Sequence, residues 1–260
     1  MDELIINELQ KILLLKENHN LIKEQLTKLF PSVVKVCEIH ANAIVRINSN
    51  TLEEPVFDKV SRISYKQKGM NKKYQRASIP NETMFYGVFI DDVTKITEKL
   101  LSSGFEAVEL LRDNKSGEEI ITVSVWRIEK PLVLFSVSEE VNVAQTYLAN
   151  EFSKKVDKNH PEEYMISAIM SELIAENGLY DGVIYPSVQT KGIVQTQNNE
   201  MVNSLCVALC PKVIDEGKVR LVLASQHRVI VDKNGFADLS KAFNYCEIKE
   251  GQTELLFTSL

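Results

Sequence analysis

The sequence predicts a mixed α+β fold that carries an extra helical segment at its N-terminus. First, apolar residues near the N-terminus recur at three- and four-residue spacing, which is a helical period. Second, the rest of the chain interleaves short β-rich runs with helical stretches. Third, the strand candidates are short and many charged residues lie between them, which favours a mixed sheet over a regular doubly wound one.

The N-terminal segment is predicted to form two amphipathic helices. Asn18 to Asn20 interrupt the helical period with residues that favour caps and turns, and Pro31 is expected to end the second helix. We therefore divide the chain into a helical hairpin, residues 1–30, and a main domain, residues 31–260. We expect the hairpin to pack against the main domain, and a surface for a homodimer or a partner protein is the alternative.

Strands and helices of the main domain are predicted from β-branched runs and from helical spacing. The strand candidates are residues 33–36, 43–47, 84–90, 120–128, 132–137, 182–185, 205–209, 219–223 and 229–232. The helical patterns cover residues 94–101, 105–111, 139–155 and 161–176. A polar stretch, residues 189–200, is predicted to be a mobile loop.

The composition is that of an ordinary globular protein. The chain has 260 residues, of which 44% are apolar and 25% charged, and its net charge of −6 makes nucleic acid an improbable partner. No apolar run approaches the ~20 residues of a membrane span, and the chain opens on Asp2 and Glu3 instead of a basic signal region. We therefore expect no membrane association and a cytoplasmic location.

Several enzyme classes are excluded by missing motifs. No Gly-rich phosphate loop occurs among the ten glycines, so neither a Rossmann nor a P-loop enzyme is expected. The four histidines are far apart and make no metal-binding motif, so we expect no metal site. The four cysteines are too few for a disulfide framework, and reduced thiols are expected.

Residues 60–76 form the one clearly basic stretch, with six Lys or Arg side chains and no acidic residue. A solvated loop would explain the lysines, whereas Arg76 could bind a phosphate through two parallel hydrogen bonds. Further on, Ser187 follows Pro186 at the end of a strand, which exposes its hydroxyl. No histidine or acid lies near Ser187 in the sequence, so a hydrogen-bonding role is expected for it.

These residues resemble the motifs of the RES-domain family, which is named for arginine, glutamate and serine. The resemblance rests on Arg46 in Ala-Ile-Val-Arg, Arg76 in Tyr-Gln-Arg-Ala-Ser, Tyr86 in Phe-Tyr-Gly, Glu109 in Ala-Val-Glu ahead of a tryptophan-containing strand, and Ser187 in Asp-Gly-Val-Ile-Tyr-Pro-Ser. It covers roughly residues 43 to 211. The chain departs from the family at Ser78 and Cys206, where asparagines are frequent.

The resemblance implies an ADP-ribosyltransferase-like arrangement of mixed sheets and an enzyme that cleaves the nicotinamide–ribose bond of NAD. In such an enzyme Arg46 and Arg76 would hold phosphates, and Tyr86 would orient the nicotinamide ribose. Glu109 would stabilise the sugar cation, and Ser187 would hydrogen-bond the substrate. NAD is then the substrate, and no cofactor or metal is needed.

Several points stay open at this stage. The acceptor is water or inorganic phosphate, and Glu98 and Glu106 are alternatives to Glu109 as the site carboxylate. The family includes toxins held in check by an antitoxin protein, so an antitoxin is a possible partner. Transfer of ADP-ribose to a macromolecule is the alternative activity, and a non-catalytic protein that binds an anion or a partner is the alternative class.

Overall fold

The protein is built on one large mixed sheet with helices packed against it, which confirms the predicted α+β fold. The computed structural model describes residues 1–13, 19–40, 43–50, 56–90, 100, 103–104, 106–113, 115–137, 142–188, 204–234 and 237–259. Over these residues the sheet has 11 strands, in the order β1-β5-β6-β7-β3-β2-β4-β8-β10-β11, with β9 paired to β8. β5 and β6 are parallel, and the other pairs are antiparallel.

The elements have the following bounds. The helices are α1 (Asp2–Leu13), α2 (His19–Val33), α3 (Val60–Ile63), α4 (Glu109–Arg112), α5 (Val143–Phe152), α6 (Met165–Asn177), which follows a 3-10 turn at Pro161–Tyr164, and α7 (Pro211–Asp215). The strands are β1 (Val36–Ile39), β2 (Ala43–Ser49), β3 (Phe85–Ile90), β4 (Gly117–Ile128), β5 (Leu132–Ser136), β6 (Gly182–Pro186), β7 (Leu205–Leu209), β8 (Val219–Val231), β9 (Ala237–Leu239), β10 (Asn244–Glu247) and β11 (Thr258–Ser259).

The N-terminal helices contribute their apolar faces to the main core. Leu9, Leu26 and Leu29 are fully buried and belong to the same hydrophobic cluster as Phe135 of the sheet. Helix α2 runs through Pro31 and ends two residues later. A proline in the last turn removes only one hydrogen bond from the helix, so the expected end at Pro31 was too early.

Other differences concern the ends and number of the strands. β1 begins three residues after the predicted start, and the candidates at 219–223 and 229–232 are one strand, β8, because both pair with the long strand β4. Apart from Leu100, the helix predicted at 94–101 lies outside the described residues, and so does the loop predicted at 189–200. In the part of the chain that is described, no helix has both the length and the apolar character of a membrane span.

A gap in the sheet between β2 and β3 positions the site. Among the described residues these strands pair only over 43–45 and 88–90. β2 then continues along β4 to Ser49, while β3 continues along β7 to Phe85. The two strands therefore separate beyond Val45 and Val88, and we call this opening the β2/β3 gap.

Candidate functional site

A cavity of about 420 Å³ lies at the β2/β3 gap. Its walls include Arg46, Asn48, Arg76, Tyr86, Glu106 and Tyr185. This volume falls within the range of small-molecule sites, and the mixture of aromatic and charged side chains suits a polar ligand with planar rings.

Arg46 on β2 spans the gap. Its Nη1 donates a hydrogen bond of 2.8 Å to the carbonyl oxygen of Tyr86 on β3, and its guanidinium carbon lies 5.4 Å from the centre of the Phe85 ring. Among the described residues no carboxylate forms an ion pair with Arg46, and its buried Nε has no hydrogen-bond partner. Burial lowers the pKa of Arg46 to about 10. A desolvated cation without a counter-charge favours an anionic ligand.

Arg76 is more enclosed than a phosphate-binding side chain on an open loop would be, since it is only 8% exposed. Its Nη1 donates to the carbonyl oxygen of Phe152 at the C-terminal end of α5, and its Nη2 donates to the Tyr164 hydroxyl at 3.3 Å. The guanidinium also lies 5.0 Å from the centre of the Tyr164 ring. A cation at a helix C-terminus is stabilised by the helix dipole, so Arg76 fixes this wall and adds positive charge to the cavity.

Tyr86 is held as a neutral phenol. Its hydroxyl oxygen accepts a hydrogen bond from the backbone N–H of Ala77 at 3.2 Å and lies 2.8 Å from Ser78 Oγ. Because Ser78 Oγ donates its single proton to Gln75 Oε1, the Tyr86 hydroxyl donates to Ser78. Burial raises the pKa of Tyr86 to about 12. Ser78, which departs from the family pattern, therefore orients this tyrosine.

Glu106 supplies the carboxylate of the cavity. Ser187 Oγ donates a hydrogen bond of 2.6 Å to Glu106 Oε1, and Cys206 Sγ lies 3.8 Å from the same oxygen. Burial and the nearby Glu106 charge raise the pKa of the Cys206 thiol well above its usual range, so the thiol keeps its proton and donates it. Two donors thus fix one oxygen of this carboxylate.

The structure does not bring Glu109 to the cavity. Glu109 is exposed and binds Lys158 and Lys115, each at 3.1 Å, and these two lysines lower its pKa to about 2. Val108 has extended backbone angles (φ −95°, ψ 114°), so it interrupts the helix predicted over 105–111 and turns Glu109 away from Glu106. The choice of Glu109 therefore fails on geometry, and Glu98 lies outside the described residues.

The sequence reasoning also missed three other wall residues. Tyr185 is 5% exposed, with its ring centre 5.5 Å from that of Phe152, and Tyr164 supports Arg76. No local pattern marks Tyr164 as a cavity residue, whereas Tyr185 belongs to the Asp-Gly-Val-Ile-Tyr-Pro-Ser motif that ends at Ser187. Asn48 did carry a signal, because a residue two positions after Arg46 on a strand faces the same side.

A second cavity, of about 660 Å³, is larger but has the opposite charge. Its wall contains the carboxylates Glu82, Glu172, Glu176 and Asp215, and Lys68 is its one basic side chain among the described residues. Such a wall repels a phosphate-containing ligand, so the β2/β3 gap is the better candidate for an anionic nucleotide. No group of three or more His, Cys, Asp or Glu side chains within the described ranges is arranged to hold a metal ion.

Comparisons with known proteins give a distant structural likeness and no match at the level of sequence. No family model matches the sequence, and no curated protein matches it. Among solved structures, the chain is similar to one from the crystal structure of the M. tuberculosis MbcT-MbcA toxin-antitoxin complex, with 9% identity and a TM-score of 0.40. The alignment covers 77% of this chain and 91% of that chain. The functional argument therefore rests on the site and on the sequence motifs.

Proposed function

We propose that the chain is an enzyme that cleaves the bond between nicotinamide and ribose in NAD. One observation carries the proposal. A single cavity combines Arg46, a half-buried cation without an ion-pair partner among the described residues, with Glu106, a carboxylate that Ser187 holds in place. The substrate has matching features, since its diphosphate is anionic and its ribose becomes cationic when the bond breaks.

Binding follows from the charge and shape of the cavity. The diphosphate of NAD interacts with Arg46, and the positive charge of Arg76 strengthens the attraction from the opposite wall. Rings of Tyr86 and Tyr185 offer planar surfaces to the nicotinamide and its ribose. Arg46 and Tyr86 are half-buried, which makes their electrostatic contacts stronger than those of fully exposed side chains.

The chemistry needs only the chain's own side chains and an acceptor. The bond between ribose C1′ and the pyridinium nitrogen breaks, and its electron pair leaves with neutral nicotinamide. The Glu106 carboxylate stabilises the resulting oxocarbenium-like cation, while Ser187 and Cys206 keep that carboxylate in position. The oxygen of water or of inorganic phosphate then bonds to C1′, and a water acceptor releases one proton.

The sequence motifs support the same proposal. The motif residues are far apart in the sequence, since up to forty positions separate Arg46, Arg76 and Tyr86, and Ser187 is about a hundred positions further on. In the structure the first three line the cavity, and Ser187 donates a hydrogen bond to its carboxylate, Glu106. The family resemblance rests on these four residues together with Glu109, which does not line the cavity. The family's glutamate is proposed to be Glu106.

The test is incubation of the purified chain with NAD, with and without phosphate, followed by chromatography of nicotinamide and the ribosyl product. We expect nicotinamide release, with ADP-ribose as the product of hydrolysis or its 1″-phosphate as the product of phosphorolysis. Arg46→Leu should abolish release at low NAD, whereas Arg127→Leu, an exposed control on the neighbouring strand β4, should not. No release from a folded sample in either buffer contradicts the proposal, and release only when ADP-ribose becomes attached to a macromolecule favours the transferase.

A further inference from the structure

One polar side chain on the cavity wall has no partner in the described part of the chain. Asn48 lies two residues after Arg46 on β2 and lines the same cavity. Its Oδ1 is buried and accepts no hydrogen bond from the described residues. Nearly all buried polar groups in folded proteins are hydrogen-bonded, so an unpartnered amide in a cavity requires an explanation.

A ligand would supply the missing partners. In a ligand complex, rotation of the side-chain amide would place its oxygen and nitrogen at the cavity, where together they would present one acceptor and one donor in a plane. Neighbouring same-face residues of a strand are about 6.6 Å apart, since each residue rises about 3.3 Å. A phosphate at Arg46 and a planar polar group at Asn48 can therefore belong to a single nucleotide.

We propose that Asn48 is a specificity-determining residue that pairs with a planar donor–acceptor edge of the substrate. The inference rests on the proposed function, because NAD carries two such edges. One is the carboxamide of nicotinamide, which is complementary to another primary amide. The other is the amino edge of adenine, which asparagine recognises through two hydrogen bonds in other proteins.

Two NAD analogues distinguish these edges. Nicotinic acid adenine dinucleotide replaces the carboxamide by a carboxylate, and nicotinamide hypoxanthine dinucleotide replaces the adenine amino group by a carbonyl. Each analogue leaves the other edge intact. The kcat/KM for release of the pyridine base is measured for NAD and for both analogues.

The wild-type chain is expected to cleave one analogue at least about tenfold less efficiently than NAD, because a mismatched edge leaves buried polar groups unpaired. In Asn48→Leu the kcat/KM values for NAD and for that analogue should differ by no more than about twofold. The kcat/KM should decrease only for substrates that carry the edge recognised by Asn48. The second variant, Asn48→Asp, keeps an acceptor and loses the donors. It should therefore lower the kcat/KM for NAD. If Asn48 pairs with the carboxamide, Asn48→Asp should lower the kcat/KM for the nicotinic acid analogue further, because two carboxylates repel each other.

Thermal unfolding shows whether the variants are folded, and Asn7→Leu on the exposed face of α1 is the matched control. If Asn48→Leu does not fold, the change in substrate preference of Asn48→Asp decides. Cleavage of NAD with the same preference in the wild type and in the Asn48 variants overturns this inference and leaves the proposed function standing. Absence of NAD cleavage by the wild type overturns both.

Discussion

Replacement of Glu106 by glutamine should remove most of the activity and leave the fold intact. Glutamine keeps the shape of the side chain, and its amide oxygen still accepts the hydrogen bond from Ser187. In the proposed mechanism the lost charge would be in contact with the developing ribosyl cation. At about 4 Å and an effective dielectric constant of about 20, the attraction is worth about 4 kcal/mol. Because 1.36 kcal/mol changes a rate tenfold, kcat should fall about 10³-fold.

KM should change less than kcat in Glu106→Gln, because the positive charge moves from the pyridinium ring to the ribose only as the bond breaks. Glu109→Gln is the matched control, since it makes the same change three residues along the chain, at an exposed position bound to Lys115 and Lys158. The assay is the initial rate of nicotinamide release at several NAD concentrations, with thermal unfolding of each variant. Full activity of Glu106→Gln, or a large loss in Glu109→Gln, would refute the reasoning.

Three further predictions concern binding and stability. Burial lowers the pKa of Arg46 to about 10, so the charged guanidinium destabilises the folded chain at neutral pH, and this destabilisation decreases only as the pH rises above 10. Arg46→Leu should therefore unfold at the same temperature as the wild type at neutral pH, or at a higher one. ADP-ribose should raise the unfolding temperature of the wild type but not that of Arg46→Leu. A variant that unfolds at a lower temperature and is still stabilised by ADP-ribose contradicts the role given to Arg46. Gly87→Ala should lower the free energy of unfolding in urea by about 1–3 kcal/mol, because the added Cβ would overlap Ile44 Cγ2 and lie 3.0 Å from the Val45 carbonyl oxygen. Unchanged stability would show that the strands can shift there. Deletion of residues 1–18 removes the four buried side chains of α1, and the burial of each stabilises the fold by about 1.5–3 kcal/mol. Circular dichroism should therefore show that the shortened chain is unfolded. A stable, active product would instead favour a partner-binding role for the hairpin.

Much of the fold could be predicted from local patterns. The β-branched runs located β2, β3 and β7 to within about two residues, because strand residues alternate and are bounded by turn signals. The β2/β3 gap could not be predicted in this way. It depends on where pairing between two distant strands stops, and the sequence of either strand is equally compatible with continued pairing.

The candidate site was also predicted only in part from the sequence. Three residues identified by their motifs, Arg46, Arg76 and Tyr86, line the cavity, and Ser187 donates a hydrogen bond to Glu106 on its wall. Each motif sits at a strand or a turn whose position was predicted. In the sequence, the alanine context and the distance before Trp126 favour Glu109, whereas in the structure Glu106 lines the cavity and Glu109 does not. The extended conformation of Val108 separates Glu106 from Glu109, and it arises from the tertiary packing of a fully buried valine.

The claim that the β2/β3 gap is an NAD site is tested most directly by a crystal structure of Glu106→Gln with NAD bound. The account predicts the diphosphate against Arg46 and the nicotinamide–ribose bond beside residue 106, with the side-chain amide of Asn48 paired to one end of the substrate. NAD bound in the cavity walled by Glu82, Glu172, Glu176 and Asp215 would contradict the account, and so would NAD in the gap with its nicotinamide–ribose bond remote from residue 106.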